Sequence, residues 1–205
     1  MGSLNSLTMR QKLTKTQKNV LIGTVLGDAT IEKNGKHSRL RISQKSANKD
    51  YVFWKYNVFK EFCSKKPILE SRVDKRTGKI SKQWKFSTCS LPVFDNYQVQ
   101  FYGSGKKSIT KEILSSITSP LTLAVWYMDD GHKREDCKAL RLNTQCFSRN
   151  ENVLLAEHLR KKFKVLARLH KVKKAMFCLY IPARASKHFL SLVQKYMVNS
   201  MEYKA

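Results

Sequence analysis

Two short apolar segments that both end in aspartate constrain the fold of this chain more than any other feature. The first is LIGTVLGDA (21–29), and the second is LAVWYMDDG (123–131). Asp28 and Asp130 take the same place in the two segments, at an offset of 130 − 28 = 102 in a chain of 205 residues. An offset close to half the chain length indicates an internal duplication.

The order of predicted elements after the first aspartate is repeated after the second. Each aspartate is followed by a strand-like segment ending in glutamine, RLRISQ (39–44) or ALRLNTQ (139–145), and then by apolar residues at helical spacing. β-rich stretches come next (72–88 and 167–181), and each leads through a proline into an amphipathic helix. We therefore predict an α+β fold of two pseudo-symmetric halves, each with the order α-β-β-α-β-β-α. The predicted boundaries are an N-terminal tail (1–13), a first half (14–108), a linker (109–118) and a second half (119–205).

Both aspartate-bearing segments are predicted to be helices that pack against each other. Thr16 and Ser119 are suitable N-terminal caps, and Pro120 suits the first helical position. Gly23 and Gly27 are four residues apart and share one helix face, where the missing Cβ lets a second backbone approach closely. The second apolar segment is the natural partner, and such packing would bring the two aspartates together at the carboxyl-terminal ends of the helices.

A pair of carboxylates at this junction is costly unless a cation lies beside them. Burial disfavours an ionised carboxylate, and the partial negative charge of the helix ends adds to the repulsion between Asp28 and Asp130. For either aspartate alone, a helix cap or a surface turn is the simpler explanation. Two aspartates at matching positions of a repeat instead favour a shared cation site. Asp129 has Gly27 at its counterpart position, so we assign it a supporting role.

The charge of the chain indicates a polyanionic partner. Lys and Arg number 40 against 15 acidic residues, which gives a formal net charge of +25, and the excess is spread from Arg10 to Lys204. A basic body, rather than a basic tail, is typical of a fold built around nucleic acid. The histidines show no metal-ligand spacing, so a zinc site is not predicted.

Cysteine usage indicates a reducing compartment. The five cysteines form no CxxC pair, and an odd number cannot all be paired in disulfides, so they are typical of an intracellular protein. No apolar stretch approaches the roughly 18 residues that a membrane span needs, and no membrane partner is predicted. The first 13 residues contain no acidic residue, and the first few are typical either of a cloning remnant or of a weak targeting segment; an organelle, such as a mitochondrion or chloroplast, is the expected location.

The paired motifs resemble the signature helices of LAGLIDADG homing endonucleases of the single-chain, two-motif, intron-encoded type. Three accessory segments are similar to that family as well: LRLNTQCFS (140–148), GKKS (105–108) and MEYK (201–204). The resemblance therefore spans roughly residues 15 to 204. A single nine-residue apolar motif is a weak signal, but two copies with correctly placed accessory segments are a specific one.

This resemblance implies a monomer with a pseudo-twofold axis, in which two antiparallel sheets form a saddle over double-stranded DNA. It implies a site-specific endonuclease that uses Mg²⁺, or another divalent cation such as Mn²⁺, and leaves 3′ overhangs in a long asymmetric target. Carried over by motif, the site residues are Asp28 and Asp130 as metal ligands, Lys107 and Lys204 near the reacting phosphates, and Gln44 and Gln145 as supporting polar groups. Ser43 is an alternative to Gln44, and either lysine could serve as a plain phosphate contact.

Polar side chains on one face of the predicted strands are the candidates for base and phosphate contacts. Arginine can pair bidentately with guanine, whereas many lysines contact only phosphate. The candidates in the first half are Arg39, Arg41, Arg72, Lys75, Arg76, Lys79, Lys82 and Lys85. Those in the second half are Lys133, Arg134, Lys138, Arg141, His170, Lys171 and Lys173.

Two other functional classes fit parts of the sequence. An RNA maturase of the same fold would bind intron RNA, and a non-cleaving regulator would bind DNA alone. Retention of both Asp28 and Asp130 favours cleavage, because a pure binding protein has little use for two repelling carboxylates. YMDD (127–130) also occurs in reverse transcriptases, but there it lies in a β-hairpin, and the preceding apolar run has no hairpin turn.

Overall fold

Two largely buried helices, α1 (Lys15–Leu26) and α5 (Pro120–Asp130), lie side by side at the centre of the molecule. The computed structural model describes residues 12–73, 76–78, 80–173 and 175–205, with the backbone alone for residue 72. A Cβ built on Gly23 would lie 2.6 Å from the carbonyl oxygen of Thr122, and one built on Gly27 would overlap the Cβ of Asp129. The predicted close packing of the two segments, dependent on both glycines, is therefore confirmed.

The two halves contain the same order of helices and strands. After α1, the first half contains β1 (Thr30–Asn34), β2 (His37–Lys45), α2 (Lys49–Phe59), β3 (Ile68–Val73), β4 (Ile80–Ser87) and α3 (Asp95–Tyr102). After α5, the second half contains β5 (Gly131–Lys133), β6 (Leu140–Leu142), α6 (Arg149–Phe163), β7 (Arg168–Lys173), β8 (Met176–Ile181) and α7 (Ala183–Val193). The predicted α+β fold with two pseudo-symmetric halves is confirmed. The connection between the halves contains a short helix, α4 (Lys111–Ser116), inside the predicted linker.

Local hydrogen bonds determine where the central helices begin. Thr14 caps α1, because its side chain accepts a hydrogen bond from the Gln17 backbone while the Gln17 side chain accepts one from the Thr14 backbone. The predicted cap at Thr16 was wrong, since only Thr14 has a glutamine three residues later to close this reciprocal pair. Ser119 caps α5 with Pro120 at the first helical position, as predicted.

Each half forms a four-stranded antiparallel sheet covered on one face by helices. The strand orders are β1-β2-β4-β3 and β5-β6-β8-β7. Along β2, Leu40 and Ile42 are buried toward the helices, whereas Arg39 and Arg41 lie on the opposite face. We call this opposite face of each sheet the outer face. Because side chains alternate along a strand, residues that pair directly across two strands share a face.

The buried side chains of both halves join in one continuous core around α1 and α5. Leu21 and Trp126 of the central helices are fully buried, as are Phe94 in the first half and Phe189 in the second. The carboxyl-terminal ends of α1 and α5 are thereby held in a fixed relation to both sheets. Within the described residues, no helix is both long and apolar enough to cross a membrane.

Candidate active site and nucleic-acid interface

The two matched aspartates lie at the carboxyl-terminal ends of the central helices. Asp28 follows the C-cap residue of α1, and Asp130 is the last residue of α5. Desolvation raises the pKa of Asp130 to about 7, and the negative charges of Asp28 and Asp129 add to this effect. The pKa of Asp28 is also raised, first by desolvation at its carboxylate and then by the charge of Asp129. Burial and the neighbouring negative charge thus disfavour the ionised forms of Asp28 and Asp130 at one point of a very basic molecule.

Two half-buried lysines hold the helix ends from opposite halves of the repeat. The Lys107 ammonium donates to the carbonyl oxygen of Gly27 at 2.7 Å. The Lys204 ammonium donates to the carbonyl oxygens of Met128 at 2.6 Å and Asp129 at 3.2 Å. Gly27 and Asp129 are the residues directly before the two matched aspartates, so each lysine offsets the partial negative charge of one helix end. Burial lowers the pKa of both lysines, and the nearby carboxylates oppose that change.

The two predicted glutamines have different surroundings. The Gln44 amide donates to the Asp28 carboxylate at 2.6 Å and to the Asp129 carboxylate at 3.1 Å. Gln145 lies in a turn after β6, where its amide donates to Asn143 at 3.4 Å. The alternative residue Ser43 is on the outer face and donates to Gln83. Of the predicted polar groups, Gln44 is therefore the one that the structure brings to an aspartate.

The strand register explains why Gln145 is not the counterpart of Gln44. Thr30, two residues after Asp28, pairs with Arg41, and His132, two residues after Asp130, pairs with Arg141. Arg41 and Arg141 are therefore equivalent, at an offset of 141 − 41 = 100 rather than 102. Three residues further along each chain stand Gln44 and Thr144. Thr144 is buried, and its hydroxyl donates to Asn152.

Lys55 is a buried charged residue beside this site that was not predicted from the sequence. Its ammonium is fully buried on α2 and lies 2.6 Å from the Asp129 carboxylate. The signal was present in the pattern of α2, since Lys55 stands three residues after the buried Val52 and four before the buried Phe59. A lysine on the apolar stripe of a helix requires a buried partner.

The outer face of the first sheet carries three of the predicted DNA contacts. Glu32 accepts from Arg39 at 2.8 Å and from Arg41 at 3.0 Å, so one carboxylate orients both guanidinium groups. Lys85 lies on the same face and forms an ion pair with Glu70.

The prediction that Lys82 shares one face of the sheet with Arg39, Arg41 and Lys85 was wrong. Lys82 stands three residues before Lys85 in β4 and therefore lies on the helix side, with Trp84. Arg76 is in the exposed turn between β3 and β4. Lys75, Lys79 and the side chain of Arg72 lie outside the described residues.

The outer face of the second sheet carries two predicted contacts and one that was missed. Arg141 pairs with Tyr180, and His170 pairs with Cys178, which places both predicted residues on this face. Arg168 also pairs with Tyr180 and is exposed. Arg168 stands two residues before His170 in the same strand, and this spacing was the sequence signal that the two side chains share a face.

The remaining second-half candidates do not all share that outer face. Lys171 pairs with Phe177, and Lys133 pairs with the buried Leu140, so both belong to the helix-side face, and the shared-face prediction was wrong for them. The Lys133 ammonium donates to the carbonyl oxygen of Ala205 instead. Lys173 lies beyond a β-bulge that breaks the alternation in β7, and its pairing with Met176 returns it to the outer face. Arg134 and Lys138 lie in the loop between β5 and β6, where Arg134 pairs with Asp136.

The donor set at the helix ends fits a hard divalent cation that is completed by a phosphate ligand. Among the described residues, no group of three or more His, Cys, Asp or Glu side chains is arranged to hold a metal unaided. Mg²⁺ is commonly bound through one or two carboxylates, with phosphate and water oxygens as its other ligands. Asp28 and Asp130, whose ionised forms are disfavoured without a cation, match this arrangement.

Comparison with known proteins identifies relatives along nearly the whole chain. A family model described as the LAGLIDADG DNA endonuclease family matches residues 18–189. Cytochrome b mRNA maturase bI2 of Debaryomyces hansenii is 30% identical over 204 residues, which cover 97% of this chain and 76% of the relative. The probable intron-encoded endonuclease 1 of Wickerhamomyces canadensis is 30% identical over 197 residues, which cover 94% of this chain and 84% of the relative. A solved structure of the homing endonuclease I-WcaI bound to its DNA recognition sequence matches with a TM-score of 0.90 at 30% identity, over 100% of this chain and 94% of that one.

Proposed function

This chain belongs to the LAGLIDADG DNA endonuclease family, and we propose that it is a site-specific endonuclease that cuts both strands of a long, asymmetric DNA target. The observation that carries the proposal is the meeting of Asp28 and Asp130 at the ends of the central helices, where each has a raised pKa. A protein that only bound DNA would gain nothing from this mutual repulsion. A divalent cation at the scissile phosphate assists phosphodiester hydrolysis, and the paired carboxylates would supply its ligands.

The chemistry is divided between a bound cation and the side chains around it. Asp28 and Asp130 would hold Mg²⁺, or Mn²⁺, together with phosphate oxygens of the DNA. When bound, the cation neutralises phosphate charge and makes a water molecule more acidic. Lys107 and Lys204, fixed at the helix ends by backbone carbonyl groups, place positive charge where negative charge develops on the phosphate. Gln44 orients the Asp28 carboxylate through its amide.

The outer faces of the two sheets are the proposed DNA-binding surfaces. Arg39 and Arg41 serve the first half-site, and Arg141, Arg168 and His170 serve the second. Because these two sets differ, the two halves of the target differ in sequence. Because one chain contains both halves (14–108 and 119–205), we propose that it acts as a monomer. We also propose that each double-strand cut leaves 3′ overhangs. An organelle is the proposed location, since one relative is named for cytochrome b mRNA and another as intron-encoded.

The test uses a randomised duplex library. Fragments bound by the protein without divalent cation are isolated, Mg²⁺ is added, and the cut ends are sequenced. We expect cutting at one site with a constant 3′ stagger, and we expect Asp28→Asn and Asp130→Asn to bind the same fragments without cutting them. Asp50→Asn, at an exposed carboxylate of α2, is the matched control and should cut normally. Efficient cutting by both active-site variants would contradict the proposal.

Maturase activity is a second candidate, favoured by the similarity to cytochrome b mRNA maturase bI2. In this role the protein would bind intron RNA and assist its folding, which needs no hydrolysis at the paired aspartates. Splicing of a cytochrome b transcript that carries an intron would be measured with wild type and with Asp28→Asn. Equal stimulation by both would support a role separate from cleavage, and no stimulation by wild type would contradict it.

A further inference from the structure

A fully buried lysine lies next to the proposed active site. The side chains of Lys55 and Asp129 have 0% exposed surface, and their charged groups are 2.6 Å apart. The Lys55 ammonium also donates to the Thr24 hydroxyl at 2.7 Å and lies 4.2 Å from the centre of the Tyr51 ring. The Thr24 hydroxyl in turn donates to the second Asp129 oxygen at 2.9 Å. Asp129, which enters from the second half, is therefore held by three side chains of the first half when Gln44 is included.

Gln44 connects this cluster to one metal-ligand aspartate. Its amide nitrogen donates to Asp129 at 3.1 Å and to Asp28 at 2.6 Å. Its amide oxygen accepts from Asn48 at 3.1 Å, which fixes the orientation of the amide. A continuous chain of hydrogen bonds thus runs from Lys55 through Asp129 and Gln44 to Asp28.

Stability alone does not account for a buried ion pair at this place. Removing two charges from water costs about as much as their attraction returns, and apolar residues of similar volume commonly serve as well or better. What the pair does provide is a fixed position for the Asp129 carboxylate, and through Gln44 for the Asp28 carboxylate. Gly27 makes room for this arrangement, because a Cβ there would overlap that of Asp129.

Among the described residues of the second half, no equivalent of this cluster is found. The central helices correspond at an offset of 102 residues, as Asp28 and Asp130 show, whereas β2 and β6 correspond at 100, as Arg41 and Arg141 show. At an offset of 100, the buried α2 residues Val52, Lys55 and Phe59 coincide with the buried α6 residues Asn152, Leu155 and Leu159. The counterparts are Gly27 for Asp129, Trp126 for Thr24, Thr144 for Gln44 and Leu155 for Lys55. None of these four residues carries a charge.

We propose that Lys55 is a positioning residue for Asp28, acting through Asp129 and Gln44, and that it makes the two half-sites of the nuclease unequal. The inference rests on the proposed DNA cleavage and concerns the cleavage rate of each DNA strand. Because the hydrogen-bond chain reaches Asp28, its loss displaces one metal ligand and leaves the Asp130 side without a corresponding change. The two strands therefore differ in their dependence on Lys55.

The experiment measures cutting of each strand separately, on a duplex selected from a random library by binding to wild type, in the presence of Mg²⁺. The main variant is Lys55→Met with Asp129→Asn, which removes both charges together and leaves no buried charge unpaired. We expect it to bind this duplex with wild-type affinity. We also expect the ratio of the cutting rates of the two strands to differ from the wild-type ratio by at least about tenfold, because one strand is cut more slowly. Gln44→Ala should slow the same strand, because it breaks the same chain one step nearer to Asp28.

Controls separate positioning from a general loosening of the first half. Val52→Ala removes a buried side chain one turn from Lys55 on the same helix and leaves the polar cluster intact. Glu157→Gln with Lys161→Met removes an exposed ion pair from α6. Neither control should produce a difference between the strands. If the main variant does not fold, Thr24→Val, which removes one hydroxyl from the cluster at similar volume, should slow the same strand as Gln44→Ala.

Three results would overturn the inference: equal slowing of both strands, wild-type rates in the main variant, or the same strand difference in Val52→Ala. A wild-type protein that binds the duplex but cuts neither strand would overturn the proposed function, and this inference with it. The two failures are distinguishable, because only the second appears in the wild type.

Discussion

Gly23 of α1 lies so close to Thr122 of α5 that a Cβ on the glycine would be 2.6 Å from the threonine carbonyl oxygen. A backbone oxygen cannot move aside as the end of a flexible side chain can. The absence of one methyl group therefore sets the distance between the central helices. Since Asp28 and Asp130 stand at the ends of these helices, the same contact sets the geometry of the proposed metal site.

Gly23→Ala is expected to destabilise the protein and to impair cleavage. Forcing the helices apart should lower the free energy of unfolding by about 1–3 kcal/mol, in line with other overpacked cores. Thermal denaturation and the cleavage rate of the selected duplex are the measurements. Gly35→Asn is the control, because Gly35 has φ of +71° with no neighbouring atoms within 4 Å, and asparagine tolerates that conformation. A wild-type melting temperature for Gly23→Ala would contradict the packing argument.

The lowered pKa of the Glu151 carboxylate predicts that the free energy of unfolding decreases in acid. Burial alone would raise its pKa, but hydrogen bonds from Ser148 and from the Ile109 backbone outweigh this and hold the pKa below the usual value. The stabilisation is therefore complete above the unfolded pKa of about 4.5 and is lost as the pH falls through the folded-state pKa. Glu151→Gln should cost about 1 kcal/mol at pH 7, and this cost should shrink as the pH falls through the folded-state pKa of Glu151.

Thermal denaturation of Glu151→Gln and wild type across this pH range measures the effect. Glu157→Gln, at an exposed position of the same helix, is the matched control. If the difference between Glu151→Gln and wild type were the same at pH 3 and pH 7, the ionised carboxylate would not be its source.

The repeat made the fold predictable, because each element of the first half was supported by a similar element in the second. Details that depend on single hydrogen bonds were less accessible. Thr14 and Thr16 are both reasonable caps by residue type, and the reciprocal bonds with Gln17 select Thr14. Helix α4 lies in the predicted linker, a segment that has no counterpart in the repeat to support the prediction of a helix.

The candidate site was predictable where the repeat applied and not where the halves diverge. Lys107 and Lys204 are predicted from motif position, and both ammonium groups lie at the helix ends. Gln145 was chosen by similarity of sequence, but the β1–β2 hairpin is two residues longer than its counterpart, which shifts the equivalence to Thr144. Lys55 was missed because a lysine on a helix is ordinarily assigned to the surface, and its partner Asp129 is far away in the sequence.

Lys85 and Lys82 offer a test of which sheet face contacts DNA. Both are lysines of β4, three residues apart and therefore on opposite faces. Lys85→Gln should reduce the slope of log affinity against log salt concentration by about 0.9, the value for one phosphate contact. Lys82→Gln should leave the slope unchanged. Fluorescence anisotropy with the selected duplex at several salt concentrations gives both slopes, and a larger change for Lys82→Gln would place the DNA on the other face.

Lys107 and its neighbour Lys106 separate a role at the reacting phosphate from general charge. Lys107 is half-buried and donates to the Gly27 carbonyl, whereas Lys106 is exposed. Lys107→Met should lower the single-turnover cleavage rate by about 10²-fold, because a fixed positive charge beside the developing negative charge is lost. Its affinity for the duplex should change by less than about tenfold, since one phosphate contact at most is removed. Lys106→Met removes the same formal charge and should cut at the wild-type rate. Equal rates for the two variants would show that Lys107 contributes only to the overall charge of the surface.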